Sequence, residues 1–180
     1  MISKRKSYSH RRQKINTLIP LVLLTLATLF QVTLSPYIKI SGVHPDLVLV
    51  LVIGWIILRG LGEGFVWACI GGLALDFLSG APFGVFTLTM LVVATAANFS
   101  HGRVFGSSIV LPLSLTFPLS LLFNGFALLL LNLLGRPIIW TDAFSRVLLP
   151  GAVFNTAVML LIFPFLYLLN RFLHPQQLSF

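Results

Sequence analysis

Residues 64–84 read Gly64-Phe65-Val66-Trp67-Ala68-Cys69-Ile70-Gly71-Gly72-Leu73-Ala74-Leu75-Asp76-Phe77-Leu78-Ser79-Gly80-Ala81-Pro82-Phe83-Gly84. From Gly64 to Leu78 the side chains are apolar or small, with a single acid, Asp76, a step before the end. Ser79, Gly80, Pro82 and Gly84 then follow too densely for a helix to continue. A further apolar run begins at once and reaches Phe99. Two apolar segments joined by a tight turn, with no polar face on either, describe a helical hairpin made for lipid. Within the first segment Gly64, Ala68 and Gly72 recur every four residues and lead to Asp76 along one ridge. Small side chains at that spacing let another helix approach closely, as helices do when they associate in membranes. That ridge serves either packing within this chain or a partner helix.

Working outward, the same reading finds six apolar runs, Ile15–Leu34, Pro45–Leu58, Gly64–Leu78, Gly84–Phe99, Val110–Leu134 and Val147–Asn170. A bilayer core of about 30 Å asks for about 20 residues per helix. The first, fifth and sixth runs meet that length, whereas the second to fourth, at 14–16 residues, need local thinning or snorkelling flanks. The expected fold is an all-α integral membrane protein of about six spans. The alternative has five spans, with a re-entrant hairpin at the second and third runs. Residues 1–14 form a basic tail, 15–170 a single transmembrane domain and 171–180 a short C-terminal tail.

Composition demands the same solvent. Of 180 residues 57% are apolar and 9% charged, with mean hydropathy +1.00. A soluble domain carries about a quarter charged residues. The net charge of +8 does not point to nucleic acid, because half of the twelve Lys and Arg lie in the first fourteen residues (Lys4, Arg5, Lys6, Arg11, Arg12, Lys14), just before the first apolar run. That is where cytoplasmic charge belongs. With six spans and the N-terminus inside, inner segments hold those six plus Arg59, Arg103 and Arg171, against Lys39, Arg136 and Arg146 outside. Both ends are therefore expected in the cytoplasm of a cell bounded by a bacterial-type inner membrane. The first run exceeds the usual length of about 7–15 residues for a signal-peptide core and lacks an Ala-x-Ala-like exit, so it reads as an uncleaved helix.

Few residues could carry chemistry. The acids are Asp46, Glu63, Asp76 and Asp142. Asp76 either caps the following turn by accepting its backbone N–H groups or meets a partner or ligand from the bundle interior. Asp46, after Pro45 in the first turn of a run, is explained by helix-end electrostatics or by a partner contact. Arg59 and Glu63 stand four apart at a Gly-rich corner, where an exposed pair contributes little. The histidines His10, His44, His101 and His174 are scattered in tails and loops, and Cys69 stands alone in an apolar run, so no metal or cofactor site is expected. No Gly-x-Gly-Asp signature and no pairing of a Gly-x-Ser nucleophile turn with a buried His is present, and no catalysis is expected. Pro112, Pro118, Pro150 and Pro164 are expected to kink the last two spans. Gln31, Asn98, Asn124 and Asn155 are too sparse to line a channel. Tyr37 and Trp140 read as interface anchors in the longer outer connections.

The basic tail and first helix, Pro45-Asp46-Leu47 at the next helix start, and Gly71 to Gly84 together resemble the rod shape-determining MreD family. Its recurrent Pro-Asp-Leu and Gly-x-x-x-Asp…Pro-x-Gly stretches match at Pro45, Asp46, Leu47, Gly72, Asp76, Pro82 and Gly84, while the C-terminal half matches in hydropathy alone. The resemblance implies a non-enzymatic scaffold that works with the bitopic protein MreC, the MreB filament, a SEDS polymerase and a class B penicillin-binding protein. It also implies a fold similar to the substrate-binding subunits of energy-coupling-factor transporters. The competing reading is such a small-molecule-binding transport subunit. Against it, the first helix has no Ala-x-x-x-Ala ridge and the outer connections are poor in polar groups.

Overall fold

The computed structural model describes residues 22–33, 44–99 and 109–173. The basic tail, Lys39, the Ser100–Arg103 connection and His174 lie outside the described residues. Among the described residues there are six apolar helices of at least ten residues, α1 (Val22–Thr33), α2 (Leu47–Arg59), α3 (Leu61–Leu78), α4 (Val85–Asn98), α5 (Val110–Leu133) and α7 (Leu149–Leu173), with a short α6 (Trp140–Ala143) leading into α7. No strand occurs among the described residues. Leu61–Leu78, Val110–Leu133 and the continuous helical stretch Trp140–Leu173 are long and apolar enough to cross a membrane. The chain is a multi-pass membrane protein.

The shortest of the central helices sits deepest. α2 is apolar on every side, and all ten residues from Val48 to Ile57 are buried. A helix without a polar face is covered by either protein or lipid, and here the cover is protein, since α2 is packed by α3, α7, α4 and α5. Its 13 residues span about 20 Å, less than the lipid core. Protein covers it, so its length need not match the bilayer. Gly54 makes room for α7, since a Cβ there would stand 2.5 Å from the Leu166 side chain.

Two connections are tighter than the spacing predicts. The polar corner between the second and third runs shrinks to one residue, Gly60, at φ 78°, a conformation open to glycine. Across it Arg59 and Glu63 form a two-pronged pair, with Nη2 to Oε1 at 2.6 Å and Nε to Oε2 at 3.2 Å. Trp55 Nε1 also donates to Glu63 at 3.3 Å and its ring stacks on Trp67 at 4.4 Å. The Arg59 side chain is only 11% exposed, so this pair is less open than expected of a surface corner.

The second difference concerns the last connection, expected to run to Arg146. Helix resumes at Trp140 instead, because after Pro137 nothing in the sequence opposes it. Residues Phe144–Leu148 adopt the wider π pattern, with the Leu149 N–H donating to the Phe144 carbonyl. Pro150 follows directly, and it can neither donate an N–H nor accommodate a normal fourth-residue carbonyl. Pro118 and Pro164 lie inside α5 and α7.

Candidate functional site

One end of the bundle gathers the α1 terminus, the starts of α2, α4 and α7, and the final turns of α3 and α5. We call it the Asp46 end. It holds both intramembrane acids.

Asp76 occupies the last turn of α3, where the helix dipole disfavours a carboxylate. Its side chain instead reaches the start of α4. Oδ1 accepts the Phe86 N–H at 2.9 Å, and Oδ2 accepts the Thr87 N–H at 3.1 Å and the Thr87 hydroxyl. The first N–H groups of any helix lack partners within it. Gly84, at the α4 cap position, has no side chain to offer and takes φ 98°. Asp76 thus caps its neighbour. Pro82 contributes its carbonyl to the Val85 N–H at 3.3 Å. Gly72 makes the approach feasible, since a Cβ there would lie 2.6 Å from the Thr87 Cα. Gly72, Asp76, Pro82 and Gly84 form one device that fastens α4 to α3.

The ridge is taken up within the chain. A Cβ on Gly64 would collide with Ile56 of α2, Ala68 is fully buried and Gly72 faces α4. The opposite side of α3 presents Phe65, Val66, Leu73 and Phe77 outward.

Asp46 is held differently. Pro45 precedes it, and its own side chain makes no cap bond to α2. That duty falls to Gln31 of α1, whose Oε1 accepts the Val48 N–H at 3.2 Å while its Nε2 donates to Asp46 Oδ1 at 3.1 Å. The Asp46 N–H donates to Asn155 Oδ1 at 2.7 Å, and Asn155 Nδ2 donates to Ser120 Oγ at 3.3 Å. Four helices are thereby joined through one chain of polar contacts. Asn155 and Ser120 are fully buried. Helix-end electrostatics alone do not describe Asp46.

Beside this chain lies a cavity of about 440 Å³, lined by Gln31, Val32, His44, Asp46, Leu75, Leu78, Ser79, Phe86, Phe123, Asn124, Ala127, Leu128, Leu131 and Val147. Asp76 and Asp46 share no hydrogen bond; they flank the cavity, Asp46 directly and Asp76 through its neighbour Leu75 and its partner Phe86. Sequence reading set aside Gln31, Asn124 and Asn155 as too sparse and did not single out His44 or Ser120 for this cluster. The signal was there in each isolated amide within an apolar span, a costly placement unless it is bonded. Among the described residues no three His, Cys, Asp or Glu side chains gather into a metal-binding group.

Comparison with known proteins bears on identity. The family model described as rod shape-determining protein MreD matches residues 11–173, which takes in both motif stretches and every described helix. Neither the curated proteins nor the solved structures contain a match. The likeness to energy-coupling-factor subunits therefore rests on the resemblance alone. With the match extending over most of the chain, this multi-pass, cell-shape-determining membrane protein belongs to the rod shape-determining protein MreD family.

Proposed function

We propose that the protein is a non-catalytic scaffold of the cell-elongation complex, seated in the bacterial inner membrane with its N-terminus in the cytoplasm. Its direct partner is an MreC-like bitopic membrane protein. Through that partner it is tied to the MreB filament, a SEDS polymerase and a class B penicillin-binding protein, and so helps organise peptidoglycan synthesis. The family match carries this reading.

The site geometry supports it. The Asp76 carboxylate is occupied by the α4 backbone and a threonine hydroxyl, a structural rather than a reactive use. Pro45, Asp46, Gly64, Ala68, Gly72, Asp76, Pro82 and Gly84 act in this proposal from within. They fix α2, α3 and α4 against one another, and a partner helix would meet the outward faces so positioned. The nine-to-three distribution of Lys and Arg supports the orientation, which turns the Asp46 end outward.

Depletion followed by microscopy tests the reading. Rounded cells or loss of width control are expected, with recovery on re-expression of the intact chain. An unaltered outline with a new vitamin requirement would reject the scaffold in favour of transport.

A further inference from the structure

The geometry points to the cavity at the Asp46 end as a binding site for a small apolar molecule bearing one uncharged hydroxyl. Its volume of about 440 Å³ falls within the range of about 300–1,000 Å³ typical of small-ligand sites. Leu75, Phe86, Phe123 and Leu131 supply apolar wall. Leu78, Ser79 and Val147 are exposed, so the cavity opens to the surroundings.

The polar lining carries the inference. His44 Nδ1 and Asn124 Nδ2 are buried without a hydrogen-bond partner, and both residues line this cavity. A buried polar group without a partner is costly, because nothing offsets the hydrogen bonds it gives up to leave water. The adjoining network leaves no such debt, since Gln31, Ser120 and Asn155 all have partners there. Asp46 accepts from Gln31 through Oδ1, and a carboxylate, with about four lone-pair sites, has room for a further donor from the cavity. A single hydroxyl, with two lone pairs and one proton, can accept from the Asn124 amide and from a His44 Nδ1–H while donating to the Asp46 carboxylate. A carboxylate or phosphate would face Asp46 with no Lys or Arg in the lining to offset it. An ammonium would suit Asp46 and leave the Asn124 N–H unanswered. Water can answer the polar groups of His44, Asp46 and Asn124, but it leaves the apolar wall of Leu75, Phe86, Phe123 and Leu131 without a matching surface.

The inference stands apart from the scaffold reading and is tested on the purified full chain in nanodiscs of zwitterionic lipid. The probes are dodecanol, dodecanoic acid and dodecylamine carrying the same photoactivatable diazirine, with labelled positions mapped by peptide mass spectrometry. Dodecanol is expected to label Leu75–Ser79 and Phe123–Leu131 saturably, to be displaced by unlabelled dodecanol, and to exceed both charged probes at least tenfold. Asn124→Leu removes no hydrogen bond seen in the structure, so the fold is retained while labelling falls at least fivefold; His44→Phe gives a second, independent loss. Labelling that does not saturate, that is equal for alcohol and acid, that favours the amine, or that survives both substitutions overturns the site and leaves an unspecific gap.

Discussion

Asp76 and Asp46 stand at the same end of the bundle, each beside the start of a helix, and they are satisfied in opposite ways. Asp76 concentrates its bonds on two consecutive residues of one neighbouring helix, Phe86 and Thr87, through a contact so close that only Gly72 fits beneath it. Around Asp46 the work is divided. Gln31 caps α2, Asn155 takes the Asp46 N–H, and Ser120 completes the chain. A concentrated joint fails with one acid, whereas in a shared one the carboxylate itself carries little and the loss depends on which member is removed. The two joints also differ in reach, since Asp76 spans 10–11 residues and the Asp46–Asn155 contact spans 109.

The largest expected effect therefore belongs to Gly72→Leu. The atoms in the way are backbone atoms of Thr87, which cannot rotate aside, so α3 and α4 must part and the Asp76 bonds go with them. Overpacking typically costs about 1–3 kcal/mol and occasionally more, the lost Asp76 bonds add to it, and loss of a monodisperse peak in detergent should accompany the change. If the proposed MreC-like partner is bound, its recovery would fall too, but through misfolding. Gly72→Leu protein that melts like the parent would show that the joint is not close-packed. Asp76→Ala comes next. It leaves two first-turn N–H groups of α4 and the Thr87 hydroxyl without their acceptor, at a cost of about 2 kcal/mol. Asp76→Asn retains one acceptor oxygen and should lose about half as much. Equal melting temperatures for the two variants would contradict the capping role.

The contrast in reach explains what the sequence could disclose. The Gly72–Gly84 device is local, so its glycines, acid and proline were legible as a turn with an acid before it, and the six apolar runs were legible as helices. The burial of α2 was not, because a 13-residue apolar helix looks the same whether lipid or protein surrounds it. The early start of the last helical stretch at Trp140 was hidden for a different reason: Arg136, Asp142 and Arg146 look like loop residues, yet nothing after Pro137 prevents a helix. The amide network was hidden because Gln31, Ser120 and Asn155 meet only once α1, α5 and α7 are packed. Their isolation in apolar spans announced a need for partners without naming them.

On the shared side, Asn155→Leu should cost about 1–3 kcal/mol, since it orphans the Asp46 N–H and removes the Ser120 contact together. Asp46→Asn should cost less than about 1 kcal/mol, because an amide oxygen can still accept from Gln31. Thermal melting of purified variants in one detergent measures both. If Asp46→Asn proved as damaging as Asp76→Ala, the division of labour proposed for this joint would be wrong.

The smallest effect is expected at the far end, where Glu63 links the close of α2 to the opening of α3. Glu63→Gln removes the charge from the Arg59 pair but keeps an oxygen that Arg59 or Trp55 can still reach. The Trp55–Trp67 stack, 4.4 Å between rings, does not depend on that charge. Arg59 is largely covered, but the Glu63 side chain is 40% exposed, so water already screens part of the attraction. The loss should be below about 1 kcal/mol. It should also shrink as salt is raised, because an exposed pair is screened over a distance of about 10 Å at 0.1 M. A salt-independent loss as large as that of Asp76→Ala would place a second concentrated joint at Gly60, and the two ends of the bundle would then be fastened by the same means.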